Sequence, residues 1–438
     1  METVLLFVLG ILIFAVGLGV SIALHELGHL SFAKLFGVKV TQYMIGFGKT
    51  VFSFRRGETE YGVKALPLGG YISMIGMFPP KHPGERARNA STGFYNTMVQ
   101  DARAASAETV AAGEENRAFY RLAPWKRIIV MFAGPFMNLV IAFVLFTIIL
   151  VGIGIQTYAV SSVSACIPAS ATSTKCAADA NSSPAKLAGF EKGDLFVSVD
   201  GTATPTWNDA TAIFQKSAGK TLSVVVTNHG VERTLSVTPV AAKQPVISAT
   251  TGKQVVKDGV PQTRTVGTVG LLGGLTTVPQ PITAVPPAFG NAVGQVAGVV
   301  INLPQRMVAV WNAAFGSGPR EADGPVGIIG VGRLAGDAVS SPSPVIDRIQ
   351  FILSLLASLN IALFVFNMIP LLPLDGGHIV GAAWEWIKRV YAKVFRRREP
   401  HPVDMAKLMP VTFAVIVVLG AMSLLLAYAD IVKPITLG

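Results

Sequence analysis

His25-Glu26-Leu27-Gly28-His29 is the segment of this 438-residue chain whose residue types and spacing most directly specify chemistry. On a helix, positions i and i+4 share a face, so both imidazoles can reach one metal ion. Glu26 then stands beside the attacking water as general base, the arrangement of a zinc-dependent hydrolase. A catalytic zinc site wants three protein ligands and one open position. The candidate third ligand is Asp375, in Asn367-Met368-Ile369-Pro370-Leu371-Leu372-Pro373-Leu374-Asp375-Gly376-Gly377-His378. A bare carboxylate ending a long apolar run is expensive unless it is paired or metal-bound. Pro370, Pro373 and the glycine pair are expected to break the helix, and broken helix at membrane depth is tolerated mainly where it lines a site. His378 is the alternative ligand. A His/Glu pair snorkelling at a membrane edge is the competing explanation, and it needs no metal.

These residues need elements to carry them, and composition says which. Apolar types make up 51% of the chain and charged residues only 14%, well below the ~25% of soluble domains. Mean hydropathy is +0.53. Four uncharged runs are long enough to cross a bilayer, at residues 4–24, 128–155, 351–374 and 411–429. The net charge of +11 gathers beside these runs. Residues 34–127 hold 14 Lys/Arg and residues 384–409 hold seven, whereas residues 156–340 spread 13 over a long segment with ten acids. Such asymmetry orients a membrane protein and does not mark a nucleic-acid-binding face. The first and third connecting segments are therefore expected in the cytosol and the middle one outside. No basic stretch precedes the first run, which is expected to be a retained span and not a cleaved signal. Residues 265–305 are also uncharged but carry prolines, asparagines and glutamines, and are expected to lie at the membrane surface or in a groove. A fifth crossing there would put Asp375 on the opposite face from His25 and His29.

Three separated motifs resemble the site-2 proteases, zinc metalloproteases that cut transmembrane segments. They are the His25–His29 segment, Phe132-Ala133-Gly134-Pro135 with Asn138 in the second span, and the Asn367/Pro370/Asp375 run. The resemblance covers essentially the whole chain. It implies one Zn2+ held by His25, His29 and Asp375, with Glu26 as catalytic base and Asn367 holding an unwound substrate near the metal. Residues 45–48 and 61–71 alternate and turn like short β elements, with Gly46, Gly48, Gly69 and Gly70 at the turns. In the family such elements form a membrane-embedded sheet beside the site, suited to holding substrate by strand addition. The implied partners are single-span membrane proteins, such as anti-sigma factors or remnant signal peptides, and the lipid bilayer; no nucleic-acid partner is expected.

The expected fold is a polytopic α-helical membrane protein of about four spans, with membrane-associated β elements and an extracytoplasmic α+β domain resembling a bacterial PDZ domain. The order is a first span with the His-Glu motif (1–36), a β region (37–80), a cytosolic insert (81–127) and a second span (128–155). The PDZ-like domain (158–240), a linker and amphipathic helix region (241–345) and a third span with the ligand loop (349–383) follow. A basic cytosolic loop (384–409) and a fourth span (410–430) complete it. Within the PDZ-like domain, strands are expected at 195–199, 222–227 and 231–237. Cys166 and Cys176 are either bridged, as an oxidising compartment allows, or two thiols. The single PDZ-like domain, this cysteine pair and the Ala/Val-rich composition look most like actinobacterial members, so the expected location is the bacterial plasma membrane. A non-proteolytic PDZ scaffold is the alternative. An intact Glu26 argues against it, because a structural zinc has no use for that carboxylate. A metal transporter would need acids or histidines along a path, which the second and fourth runs lack.

Overall fold

The computed structural model describes residues 1–79, 94–167, 176, 181–228, 230–245, 256–257, 260–316, 318, 320–321, 324–398, 400 and 402–435. The chain forms two compact units: Met1–Phe146 with Pro287–Gly438, and Thr147–Pro286.

The first unit opens with α1 (Glu2–Leu35), uncharged from Val4 to Leu24 as membrane-spanning helices are. Two long antiparallel strands follow, β1 (Val40–Arg56) and β2 (Thr59–Met74). Each is folded on itself. Residues 42–45 of β1 pair with 70–73 on one side and with 60–63 on the other, while 50–56 pair with 59–64. The hairpin thus curls into a sheet of four segments, ordered 66–74, 40–47, 59–64 and 50–56. Gly46 and Gly48 make the bend in β1 at φ of +92° and +84°, backbone that only glycine adopts without strain. Tyr43 pins the sheet to α1 by donating its hydroxyl to the Ala23 carbonyl at 2.7 Å. At the hairpin turn Arg117 binds Glu58 through both guanidinium nitrogens, at 2.7 and 2.8 Å, which holds the Glu58 carboxyl below its ordinary range. Helix α2 (Phe94–Glu108) lies in the expected cytosolic insert. Hydroxyls of Ser106 and Thr109 accept the backbone N–H groups of Phe78 and Gly76, tying its end to the chain leaving β2. Helix α3 (Pro124–Thr147) continues into a π-helical turn, Ile148–Ile153.

The second unit contains β3 (Ile155–Val163), α4 (Pro184–Ala188), β4 (Leu195–Val199), β5 (Thr202–Ala203), α5 (Trp207–Lys216), β6 (Leu222–Asn228) and β7 (Val231–Val237). After these come β8 (Val240–Pro245), β9 (Val256–Lys257), β10 (Val260–Pro261), β11 (Thr263–Thr268) and β12 (Leu271–Val278). A four-stranded sheet in the order β5-β4-β6-β7 closes over α5 through Phe190, Val199, Phe214, Leu222, Val224 and Val226. Strand β8 pairs with β11, β9 with β10, and β12 with β3. Residues 241–266, expected as linker, therefore include paired strands, and the domain does not end at 240. The pairing is not local: β11 is matched by β8 across residues 246–262, which the residues of either strand do not announce. Cys166 and Cys176 form a disulfide.

The first unit resumes through α6 (Val285–Ile301), α7 (Leu303–Phe315), α8 (Ile328–Ser340), α9 (Val345–Asn367), α10 (Asp375–Val394) and α11 (Met409–Val432). Helix α9 runs parallel to α1: Gly17 faces Leu356, and one turn on, Asn360 donates to the Ser21 hydroxyl at 2.9 Å. Helix α3 runs antiparallel to α1, with Gly28 facing Ala133 and Asn138 facing His25. Among the described residues, five helical stretches are long and apolar enough to cross a membrane: Glu2–Leu35, Pro124–Ile153, Ile282–Ile301, Val345–Asn367 and Met405–Val432. The third of these lies in the stretch expected at the membrane surface or in a groove.

Two expectations near the ligand loop change. Gly376 and Gly377 do not break a helix; they open α10, and a Cβ on either would meet the backbone of residues 368–372 folded over that first turn. The boundary at 383/384 also falls inside α10, so the expected basic loop starts as helix. The apolar residues Trp384, Ile387, Tyr391 and Val394 are exposed and interleaved with Lys388, Arg389 and Lys393, the composition of an interfacial helix.

Candidate metal centre

Helix α1 presents His25 and His29 one turn apart on the face toward α3, and α10 presents Asp375 as its first helical residue. A carboxylate at that position is favoured by the free N–H groups and positive dipole end of the helix. The close approach of α1 and α3 depends on glycine. A Cβ at Gly134 would overlap the His29 ring, and one at Gly28 would overlap the Ala133 carbonyl. The Phe132–Pro135 motif is thus the surface on which His29 lies.

Among the described residues His25, His29 and Asp375 form a group able to hold a metal ion. The His29 and His25 Nε2 atoms are 3.2 Å apart, and Asp375 Oδ2 lies 3.5 Å from His25 Nε2 and 3.4 Å from His29 Nε2. Ligands at about 2.0–2.1 Å from zinc at the corners of a tetrahedron stand roughly 3.3–3.4 Å from one another. The three atoms therefore match one face of a tetrahedral zinc site. His29 donates Nδ1–H to the Val130 carbonyl at 2.7 Å, which leaves Nε2 with its lone pair toward Asp375. His378, the alternative ligand, is outside the group.

Glu26 is buried, and its side chain lies against Gly70 of β2, where a Cβ would stand 3.0 Å from Glu26 Cγ. Gly46, Gly48 and Gly69 instead face Leu66 and Phe47 within the sheet. The segment 66–74 of β2 is thus the part of the sheet nearest the His-Glu motif. No further strand pairs with its outer edge among the described residues. Asn367 is half-buried and ends α9 immediately before the loop that delivers Asp375.

A charge cluster not foreseen from sequence holds α10 in place. Glu385, fully buried, pairs with Arg127 of α3 at 2.6 Å and with Arg389 at 2.9 Å, and accepts the Val403 backbone N–H at 2.9 Å. Only the long-range pairing reveals it; in sequence Glu385 is one acid in a basic stretch. Removing one partner leaves the other charge buried and uncompensated, at about 3–5 kcal/mol. Glu385→Ala should therefore lower the unfolding free energy in detergent by that order. An unchanged value would mean that α10 is held by packing alone.

At its far end α11 carries a second buried pair. Asp430 binds Arg320 and the Gly330 N–H, both at 2.8 Å, and a Cβ at Gly327 would clash with its carboxylate. Gly327 and Gly330 leave the space that the Asp430 carboxylate occupies.

The model of Peptidase family M50 matches residues 13–409. Zinc metalloprotease Rip1 of Mycobacterium tuberculosis is 34% identical over 444 residues, covering 99% of this chain and 100% of the relative. Rip1 of Mycolicibacterium smegmatis is 31% identical over 448 residues, with the same coverage. Metalloprotease MmpA of Caulobacter vibrioides is 27% identical over 386 residues, 85% of each chain. A three-residue group able to hold a metal ion, a family model spanning most of the sequence and full-length relatives place the chain in peptidase family M50, the site-2 proteases, as an intramembrane zinc metalloprotease.

Proposed function

We propose that the chain cuts single-span membrane proteins within their transmembrane segments, using His25, His29 and Asp375 as zinc ligands and Glu26 as the base. The carrying observation is the 3.2–3.5 Å triangle of Nε2, Nε2 and Oδ2 with Glu26 buried between the two histidines in sequence. Zinc, when bound, polarises the scissile carbonyl and lowers the pKa of the attacking water. The Glu26 carboxylate takes the proton of that water and returns it to the leaving amide nitrogen. A helical substrate hides its peptide bonds, so it must be held extended. The 66–74 edge, passing Glu26 at Gly70, is suited to take it as an added strand, and Asn367, which ends α9 just before the loop to Asp375, is assigned to hold the unwound substrate.

The site sits toward the cytosolic half of a bacterial plasma membrane, with the second unit outside as a PDZ-type size filter. Support comes from the directions of the helices. The segment leading into α11 is held near the start of α3: Val403 donates its N–H to Glu385, which pairs with Arg127. Phe289 of α6 packs on Phe143 and Phe146 at the end of α3, and Val310 and Ala314 of α7 pack with Ala429 at the end of α11. The chain thus returns by residue 310 to the level it left near 289, and α6 with α7 adds no net crossing. His25 and Asp375 then share one depth. Remnant signal peptides and anti-sigma factors are the substrates that fit, because both expose a span once the outer domain is gone.

The test keeps the protease intact, since removing residues 160–240 would leave β8, β11 and β12 without their framework. In proteoliposomes, a single-span substrate trimmed to a short outer stub should be cleaved within its span at least about tenfold faster than the same substrate with a folded outer domain. Equal rates would contradict the filter. Cuts outside the span would contradict the substrate class.

A further inference from the structure

Helix α3 supplies none of the three candidate ligands, yet both histidines lean on it. His29 is held by the Val130 carbonyl. His25 Nδ1 lies 3.1 Å from the side-chain amide of Asn138, two turns further along α3. Asn138 is wholly buried in an otherwise apolar stretch, and the amide end turned away from His25 has no hydrogen-bond partner. An unpartnered buried amide is costly, so its retention here asks for a function.

The two ends of a side-chain amide are isosteric, and hydrogen bonding decides which one faces a neighbour. Rotating the Asn138 amide leaves one end unpartnered either way, so the amide alone does not decide. The His25 tautomer does. Its Nε2 is the atom in the triangle with His29 and Asp375, so Nε2 must present a lone pair there and Nδ1 must carry the hydrogen. An amide NH2 facing Nδ1–H would set two donors against each other; the amide oxygen accepts it.

We propose that Asn138 is a positioning residue that accepts the His25 Nδ1–H bond through Oδ1, fixing the tautomer and ring plane in which Nε2 meets zinc. The proposal rests on the ligand roles assigned above. Helix α3 is then the outer support of the site, giving a backbone carbonyl to one histidine and a side-chain carbonyl to the other. Outer partners of this kind are worth about 10–100-fold in metal affinity.

The experiment is a zinc titration of the purified full-length chain against a chromogenic chelator, with folding of each zinc-free variant checked by thermal melting. Asn138→Leu and Asn138→Ala both remove the acceptor and should weaken zinc about 10–100-fold. Asn138→Asp keeps an acceptor at the same reach and should bind zinc at least as tightly as the parent. A packing role predicts the reverse order, with leucine tolerated and aspartate harmful. Parent-like affinity in either folded acceptor-free variant, or loss in the aspartate variant equal to theirs, overturns the proposal. A His25→Ala control separates the two levels: if it binds zinc as tightly as the parent, the ligand assignment itself fails.

Discussion

Glu26→Gln is expected to retain zinc and lose cleavage. Glutamine has nearly the shape of glutamate, and Glu26 is not one of the three atoms that form the metal-holding face. What the substitution removes is the proton acceptor for the attacking water. General-base catalysis contributes about 10²–10⁴-fold, so the rate should fall by at least two orders of magnitude. Zinc per chain and single-turnover cleavage of a trimmed single-span substrate measure the two halves of this expectation. Full activity would remove Glu26 from the mechanism, and loss of zinc would make it a ligand.

Asp375→Ala is expected to fail in the opposite way, losing zinc first and activity with it. The carboxylate is the only charge-neutralising ligand in the triangle, and it comes from a different helix than the histidines. Its loss leaves two ligands from a single helical turn. The drop in zinc affinity should exceed the 10–100-fold typical of an outer partner. His378→Ala should be far milder, since that ring is outside the ligand group. Normal zinc in the Asp375 variant with zinc lost in the His378 variant would transfer the ligand role to the histidine.

The parts legible in sequence were those written in local periodicity or in the cost of a misplaced charge. His25 and His29 sit one helical turn apart, so their shared face needs no tertiary information. Asp375 stood out because acids are rare at the end of apolar runs. Strands β4, β6 and β7 occupy the alternating runs flanked by turn residues. What sequence did not disclose depends on partners far along the chain. Arg127 and Glu385 meet across 258 positions, and neither residue type nor neighbours announce a buried pair. The folding of β1 between two parts of β2 is encoded in Gly46 and Gly48, but glycines in a strand also mark simple turns. Asn138 was visible as a polar residue in a span; that it faces His25 follows only from the antiparallel packing of α1 and α3. The length of α10 was missed because its basic residues suggested a loop, whereas they line one side of an amphipathic helix.

The central claim, one zinc held by two imidazoles and one carboxylate, is tested most directly by zinc K-edge X-ray absorption on the purified full-length Glu26→Gln protein. The account predicts one zinc per chain with two imidazole nitrogens at about 2.0–2.1 Å, the remaining ligands being oxygen at about 2.0–2.2 Å. Three imidazole shells, which would bring in His378, or a sulfur shell at about 2.3 Å, would contradict it.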